Sequence, residues 1–322
     1  MKAILCRQYG PIDGLSFEEI ADPAVPEDGV VIRAEAIGVN FPDGLLVQGL
    51  YQLKPPTPFT PGMEVVGTIE AVGSKVSGFK PGDRVAGVAA IGTYAEKVAV
   101  PAASVMPIPD GADAGEVTAL ICGYGTAHHA LKQRGALQPG ETLVVTGAAG
   151  LTGLAAIQIG KAMGARVIAV ASSNEKRELC VENGADVALG YDDLKDTLKE
   201  ATGGRGADVV FEVVGGEVFD ACSRAMAWNG RLLIIGFASG TIPKLPVNLA
   251  LVKGYSAVGV FWGDFTVREP QVFAANMREL MGWYASGRIR PVVERTYPLE
   301  QAAEALKHIH GRKAVGKTVL KP

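Results

Sequence analysis

One stretch limits what this chain can fold into more than any other: Thr142-Leu-Val-Val-Thr146-Gly147-Ala-Ala-Gly150-Leu-Thr-Gly153-Leu-Ala-Ala-Ile157-Gln-Ile-Gly-Lys161. An apolar, β-branched run enters a small-residue turn, and a helix-period segment leaves it, which reads as strand, tight loop and helix start. The start of a helix gathers unpaired backbone N–H groups and the positive end of the helix dipole. A pyrophosphate fits there when no Cβ blocks its approach. Gly150 and Gly153 give that clearance, with Ala149, Leu151 and Thr152 completing the turn. The usual Gly-x-Gly-x-x-Gly register puts its first glycine at 148, where the chain has Ala148. Taken alone, the loop reads either as a phosphate cradle or as a structural αβ turn.

The chain beyond it favours the cradle. Helical segments at about 151–163, 174–183, 192–202 and 217–228 alternate with β-like runs at 166–171, 187–189, 208–214, 230–236 and 256–260. Such alternation predicts an α/β fold with a doubly wound parallel sheet. Three of these strands end in glycine, at Gly147, Gly215 and Gly236. Ligands of such sheets lie outside the carboxyl ends of the strands, so these glycines would line a dinucleotide crevice. Residues 1 to about 120 read instead as short strands separated by turns such as Lys80-Pro81-Gly82-Asp83. The tail, from about 268, predicts helices over 269–286 and 299–310 with β-like pieces at 292–297 and 316–320 that could return to the first region.

In the NAD form of this fold a carboxylate at the tip of the second strand holds the ribose 2′-hydroxyl. Here the tip is Val170-Ala171-Ser172-Ser173-Asn174, followed by Glu175 and then Lys176-Arg177. Small hydroxyls and positive charge suit a 2′-phosphate, so NADPH is expected over NADH, held by Ser172, Ser173, Lys176 and Tyr191. The plainer reading of Lys176 is a solvated charge in a first helical turn.

The 322 residues suffice for two domains, and a composition 48% hydrophobic and 20% charged has ample material for their cores. A net charge of −3 gives no argument for nucleic acid. Cys6, Cys122, Cys180 and Cys222 are scattered, as suits reduced thiols in the cytoplasm. No signal-peptide pattern and no membrane-spanning apolar run is present, so a soluble cytoplasmic protein is expected.

The loop Gly147-Ala-Ala-Gly-Leu-Thr-Gly153, together with Gly38-Val-Asn40-Phe-Pro-Asp43, Gly49-Leu-Tyr51, Pro61-Gly-Met-Glu64-Val-Val-Gly67, Lys80-Pro-Gly-Asp-Arg-Val85 and Gly316-Lys317-Thr-Val-Leu, resembles the medium-chain dehydrogenase/reductase superfamily. Within it the chain is similar to the zinc-free quinone oxidoreductase branch that includes ζ-crystallin. The resemblance covers nearly the whole chain. It implies a GroES-like, mostly-β catalytic domain over 1–122 and 268–322 and a Rossmann domain over 123–267. It also implies that Asn40, Asp43 and Tyr51 lie beside the substrate. Tyr51 would donate a hydrogen bond to the reduced oxygen or be a packed rim aromatic. Asn40 would bind substrate or nicotinamide, or steady a turn. Asp43 would be a cleft polar group or a helix cap, and Glu64 is read as structural. Thr126 matches a segment that contacts nicotinamide, Gly236, Phe237 and Phe261 would pass near its ribose, and Lys317 would approach the cofactor phosphate or be solvated. Where the family often has a further tyrosine the chain reads Gly44-Leu-Leu-Val47, which makes the substrate side more apolar. Zinc-dependent relatives place a Cys and a His in the segments of Asn40 and Met63, and an amide and a thioether are poor zinc ligands, so no metal is expected.

Without a Lewis acid the easier reaction is hydride transfer from NADPH to an acceptor that delocalises charge by itself, in a cleft between the domains. A quinone leads. A reductase of activated C=C bonds in enones, enals or enoyl thioesters is the alternative, and a non-catalytic NADPH-binding protein is a third class. Gly254-Tyr-Ser-Ala-Val-Gly-Val-Phe261 resembles an edge strand paired across a homodimer, and an unpaired apolar edge is a liability.

Overall fold

Every residue of the strand Thr142–Thr146 is buried, as a central strand covered on both faces requires. It leads into the helix Leu151–Ala162, whose start at Gly150 has an extended backbone and no side-chain cap. The structure, a computed structural model, describes Met1–Pro322 and divides it into two units: Met1–Cys122 with Pro291–Pro322, and Gly123–Arg290.

The unit Gly123–Arg290 carries a six-stranded sheet in the order Val187–Leu189, Arg166–Val170, Thr142–Thr146, Ala207–Glu212, Met226–Ile234, Ser256–Gly259. All five pairings are parallel. This is the doubly wound arrangement that the alternation predicts. Val144, Ile168, Val210 and Leu232 from the strands meet Phe219, Cys222 and Tyr255 in one core. The other unit is mostly β. Its seven-stranded sheet runs Val293–Pro298, Lys317–Lys321, Gly29–Val39, Glu64–Val72, Arg84–Val88, Val105–Pro107, with Lys97–Pro101 also pairing Gly29–Val39. Ile32, Ile37, Val65, Val100, Leu306 and Leu320 fill its core. The tail strand Lys317–Lys321 lies antiparallel to Gly29–Val39, so the late β pieces do return to the first region.

Two expectations need correction. The helix over 217–228 stops at Arg224, and Trp228 lies on the strand Met226–Ile234. The register there shifts between Ala207 and Val209, and Asn229 takes a positive φ of 59°, so a bulge lets the strand's first part, which has no β-branched residue, join the sheet. The boundary expected at 268 falls at 290/291. The helix Pro270–Ala285 stays with the unit Gly123–Arg290 because His128 meets Glu279 at 2.9 Å and the Gln133 and Asn276 amides exchange two hydrogen bonds. The segment from Ala114 to Arg134 is helical, including two π-helical turns at Leu120–Tyr124 and Ala130–Arg134. No helix is long and apolar enough to cross a membrane.

Candidate functional site

In a parallel sheet all strands point the same way, so the loops that leave their carboxyl ends gather on one side. Those loops hold Gly147–Gly150, Ala171–Ser173, Val213–Gly215 and Ile235–Ser239. Gly147 takes φ +56°, which a side chain resists, so the turn's special conformation falls there. Ala148, one position later, has ordinary dihedrals and donates its N–H to Val170 O (3.1 Å). The glycine missing from the register is thus supplied one residue earlier. A Cβ on Gly153 would lie 2.6 Å from Ala148 Cα, so only glycine lets the helix approach the loop this closely. At Gly150 a Cβ would meet nothing nearer than Gly147 O at 3.3 Å, which leaves the helix start open. The backbone therefore leaves the helix start clear, bounded by buried Ala149 and half-buried Leu151 and Thr152. It fits a pyrophosphate by its clearance and its uncapped first turn.

At the neighbouring tip Ser172 is exposed, and Ser173 caps the helix Asn174–Glu182 by accepting the Lys176 N–H (3.3 Å). The Glu175 carboxylate is drawn back by the Ser173 hydroxyl, which lowers its pKa. Arg177 folds onto Ala171 O (3.2 Å) and Asn174. Tyr191 has a different part from the one expected: its hydroxyl accepts the Gly147 N–H (3.1 Å) and faces Val170 O (3.4 Å), so it braces the loop from below. Gly236 and Phe237 are half-buried, and their loop is stitched to its neighbour by Ala238 N–H to Val213 O (2.9 Å) and Ser239 N–H to Val214 O (2.8 Å). Phe261 is exposed at the start of the helix Trp262–Arg268. Thr126, half-buried, sits on the helix Gly125–His129, which packs on Leu151–Ala162.

Glu212, which no motif in the sequence singles out, joins these loops. Its fully buried carboxylate accepts from Val214 N–H (2.8 Å), Gly215 N–H (3.0 Å) and the Thr146 hydroxyl (3.1 Å). Burial raises its pKa, and these donors oppose the rise. The signal for it is an acid that closes the apolar run Val209-Val-Phe211.

In the other unit the three polar positions meet because of strand register. Lys317 opens one strand, Asn40 follows the end of the antiparallel Gly29–Val39, and Glu64 opens the next. Thr318 faces Val39 and Val65 faces Ile37, so all three side chains arrive at one end of the sheet. Lys317 is neither solvated nor free for a phosphate. It is wholly buried, ion-paired to Glu64, and its Nζ donates to Asn40 Oδ1 (3.0 Å) and Val39 O (3.2 Å). Asn40 Nδ2 donates to Glu64 Oε1 (2.8 Å), and Glu64 Oε2 accepts the Cys122 N–H (2.8 Å).

Asp43 has no exposed surface, so it does not reach a substrate; it is the third residue of the helix Phe41–Val47, and its Oδ2 accepts the Asn40 N–H (2.8 Å) and the Tyr94 hydroxyl (2.9 Å). The helix cap itself is Asn40. Asp43 Oδ1 has no partner, and burial pushes the carboxyl up to about 7. Tyr51 is half-buried against the cluster of Cys6, Leu46, Val47 and Phe59, and its hydroxyl makes no hydrogen bond within the protein. Burial holds its pKa above the ordinary phenol value, with Cys122 and Asp43 adding to the rise. Burial likewise raises the Cys122 thiol well above its ordinary value, so it stays protonated. The four histidines take separate partners: His128 meets Glu279, His129 stacks on Phe265, His308 meets Glu294, and His310 contacts Phe41 O.

Comparison with known proteins shows the family of the chain. Residues 26–110 match the alcohol dehydrogenase GroES-like domain, and residues 152–282 match the family described as zinc-binding dehydrogenase. The chain is 38% identical to mouse quinone oxidoreductase-like protein 2 over 99% of this chain and 91% of that protein. A mycobacterial protein solved with NADPH superposes with a TM-score of 0.94 at 34% identity, over all of both chains. Escherichia coli quinone oxidoreductase, also solved with NADPH, superposes with a TM-score of 0.93 at 28% identity over the same extent. This chain belongs to the quinone oxidoreductase branch of the medium-chain dehydrogenase/reductase superfamily.

Proposed function

We propose that this oxidoreductase passes a hydride from NADPH to a quinone and does so without zinc. One observation carries the zinc-free reading: a buried ammonium, that of Lys317, already stands between Glu64 and Asn40, in the segments where zinc-dependent relatives are expected to hold their metal. A second cation there would be repelled, and the remaining donors, the Asn40 amide and the Met63 thioether in its apolar cluster, are poor zinc ligands.

The uncapped helix start at Gly150–Gly153 would hold the pyrophosphate, and Ser172, Ser173 and Lys176 the adenosine phosphate. Bound NADPH supplies the hydride. Tyr51, whose phenol burial keeps protonated and which has no protein partner, would donate a hydrogen bond to the oxygen that gains charge. Asp43 acts through Asn40 and Tyr94 as a positioning residue. The strand Ser256–Gly259 lies at the sheet edge, beside 72%-exposed Trp228 packed on Gly254, and is the surface for a homodimer.

The experiment is NADPH oxidation with a benzoquinone, with an enone, and with no acceptor, each before and after a chelator. Turnover with the quinone, unchanged by chelation, supports the reading. Turnover confined to the enone moves the assignment to C=C reduction, tight NADPH binding without turnover removes both, and a loss restored by zinc overturns the metal-free reading. Sedimentation of the wild type against Trp228→Glu tests the dimer: a monomeric wild type refutes it.

A further inference from the structure

Lysine is seldom fully buried, and a buried ion pair is a poor source of stability because desolvation offsets most of its Coulomb attraction. What the Lys317–Glu64 pair does supply is direction. The Asn40 amide touches both, with Oδ1 toward the ammonium and Nδ2 toward the carboxylate. Turning that amide over would set its oxygen against the carboxylate and its N–H groups against the ammonium, so the two charges select one of its two orientations. The pair is itself held on all sides. Lys317 also donates to Val39 O, Glu64 also accepts from the Cys122 N–H, and Gly38 packs against the Glu64 carboxylate where any side chain would collide. Of the three residues only Asn40 keeps any exposed surface, 8%, and only its side chain retains an uncommitted donor, the second Nδ2 hydrogen.

We propose that Lys317 and Glu64 are positioning residues: as a buried pair of opposite charges they lock the Asn40 amide so that its free N–H, and not its carbonyl, is offered to the acceptor oxygen. The assignment rests on the quinone-reductase reading for the identity of that oxygen. The charge that develops there during hydride transfer is stabilised by a donor and would be repelled by an amide oxygen.

The test is a cycle built from Lys317→Met/Glu64→Gln, in which no unpaired buried charge remains, combined with Asn40→Ala. NADPH affinity is read by fluorescence titration, folding by Tm, and kcat and KM with a benzoquinone. In the wild-type background Asn40→Ala should lower kcat/KM about tenfold or more; in the charge-free background it should add less than about twofold, because the orientation is already lost. NADPH affinity should stay within about twofold throughout. Equal effects of Asn40→Ala in both backgrounds, or a charge-free variant with wild-type kcat/KM, would show that the pair only fills space. A readout independent of turnover separates this from a wrong acceptor assignment. The Asn40 side-chain ¹H–¹⁵N pair should show one proton shifted strongly downfield by Glu64 in the wild type and not in Lys317→Met/Glu64→Gln; the same spectrum in both overturns the lock even if the wild type reduces no quinone.

Discussion

The two polar regions of this molecule are built in opposite ways. The cradle at Gly147–Gly153 is local and made of backbone: its donors are N–H groups, and its shape depends on what glycine lacks. The Asn40–Glu64–Lys317 cluster is distant in sequence and made of side chains, and it exists only because three strands stand in one register. The first can be read from one stretch of letters. The second cannot, since no spacing rule connects residues 40, 64 and 317. A local site therefore fails by steric obstruction, whereas an assembled site fails by charge imbalance.

The largest effect that would break this contrast is expected at Gly153. Gly153→Val drives a branched side chain into the Ala148 backbone and should weaken NADPH binding by about a hundredfold or more, as overpacking of a few kcal/mol implies. A fluorescence titration showing ordinary affinity would mean that the loop yields and the cradle is not sterically defined. Next comes charge imbalance. Lys317→Met leaves the Glu64 carboxylate buried and unpaired and should cost about 3–5 kcal/mol in denaturant unfolding, most of it recovered by adding Glu64→Gln. Failure of the second change to recover stability would make packing, not charge, the cause.

Asp43 provides a pH test of the same cluster. The folded carboxyl holds its proton up to about pH 7, while an exposed one releases it near its ordinary, lower value. Across that window the folded state binds the extra proton, so this group's contribution favours folding most at the acid end and is lost as pH rises toward 7. Asp43→Asn keeps an oxygen for the Asn40 N–H and the Tyr94 hydroxyl. It should flatten the fall in Tm between about pH 4.5 and 7, relative to the wild type. Parallel Tm curves would show that Asp43 is already ionised there. The smallest effect is at the cradle's rim: Lys176→Glu should weaken NADPH several-fold and NADH little, about 1 kcal/mol for a half-buried charge. Equal effects on the two cofactors would leave Lys176 outside the phosphate site.

Legibility in the sequence follows the same division. The alternation after residue 122 carries the doubly wound sheet because each strand and helix announces itself within a dozen residues. The helix Phe41–Val47 is harder to see, since Phe41-Pro-Asp-Gly44 has the composition of a turn, although a proline in the first turn is also a helix starter. Trp228 reads as helical because a bulged strand start carries no alternation. Lys317 is legible as a lysine in a tail motif but not as a buried one, because burial is decided by the strand laid beside it. Tyr191 lies in the neighbourhood that its sequence position suggests but plays another part there, since the separation of 191 from 147 along the chain hides a hydroxyl that supports the loop.

The strand that bears Lys317 has a consequence for the order of events at the ribosome. All of Gly123–Arg290 is synthesised after Glu64 and Asn40 and before Lys317. Until the strand Lys317–Lys321 emerges, Gly29–Val39 lacks the neighbour it pairs with on that side, and the Glu64 carboxylate has no ammonium to meet. The unit Gly123–Arg290 can finish while the other is still waiting, so the sheet that holds Gly29–Val39 is closed last, by a strand made only after the whole intervening unit.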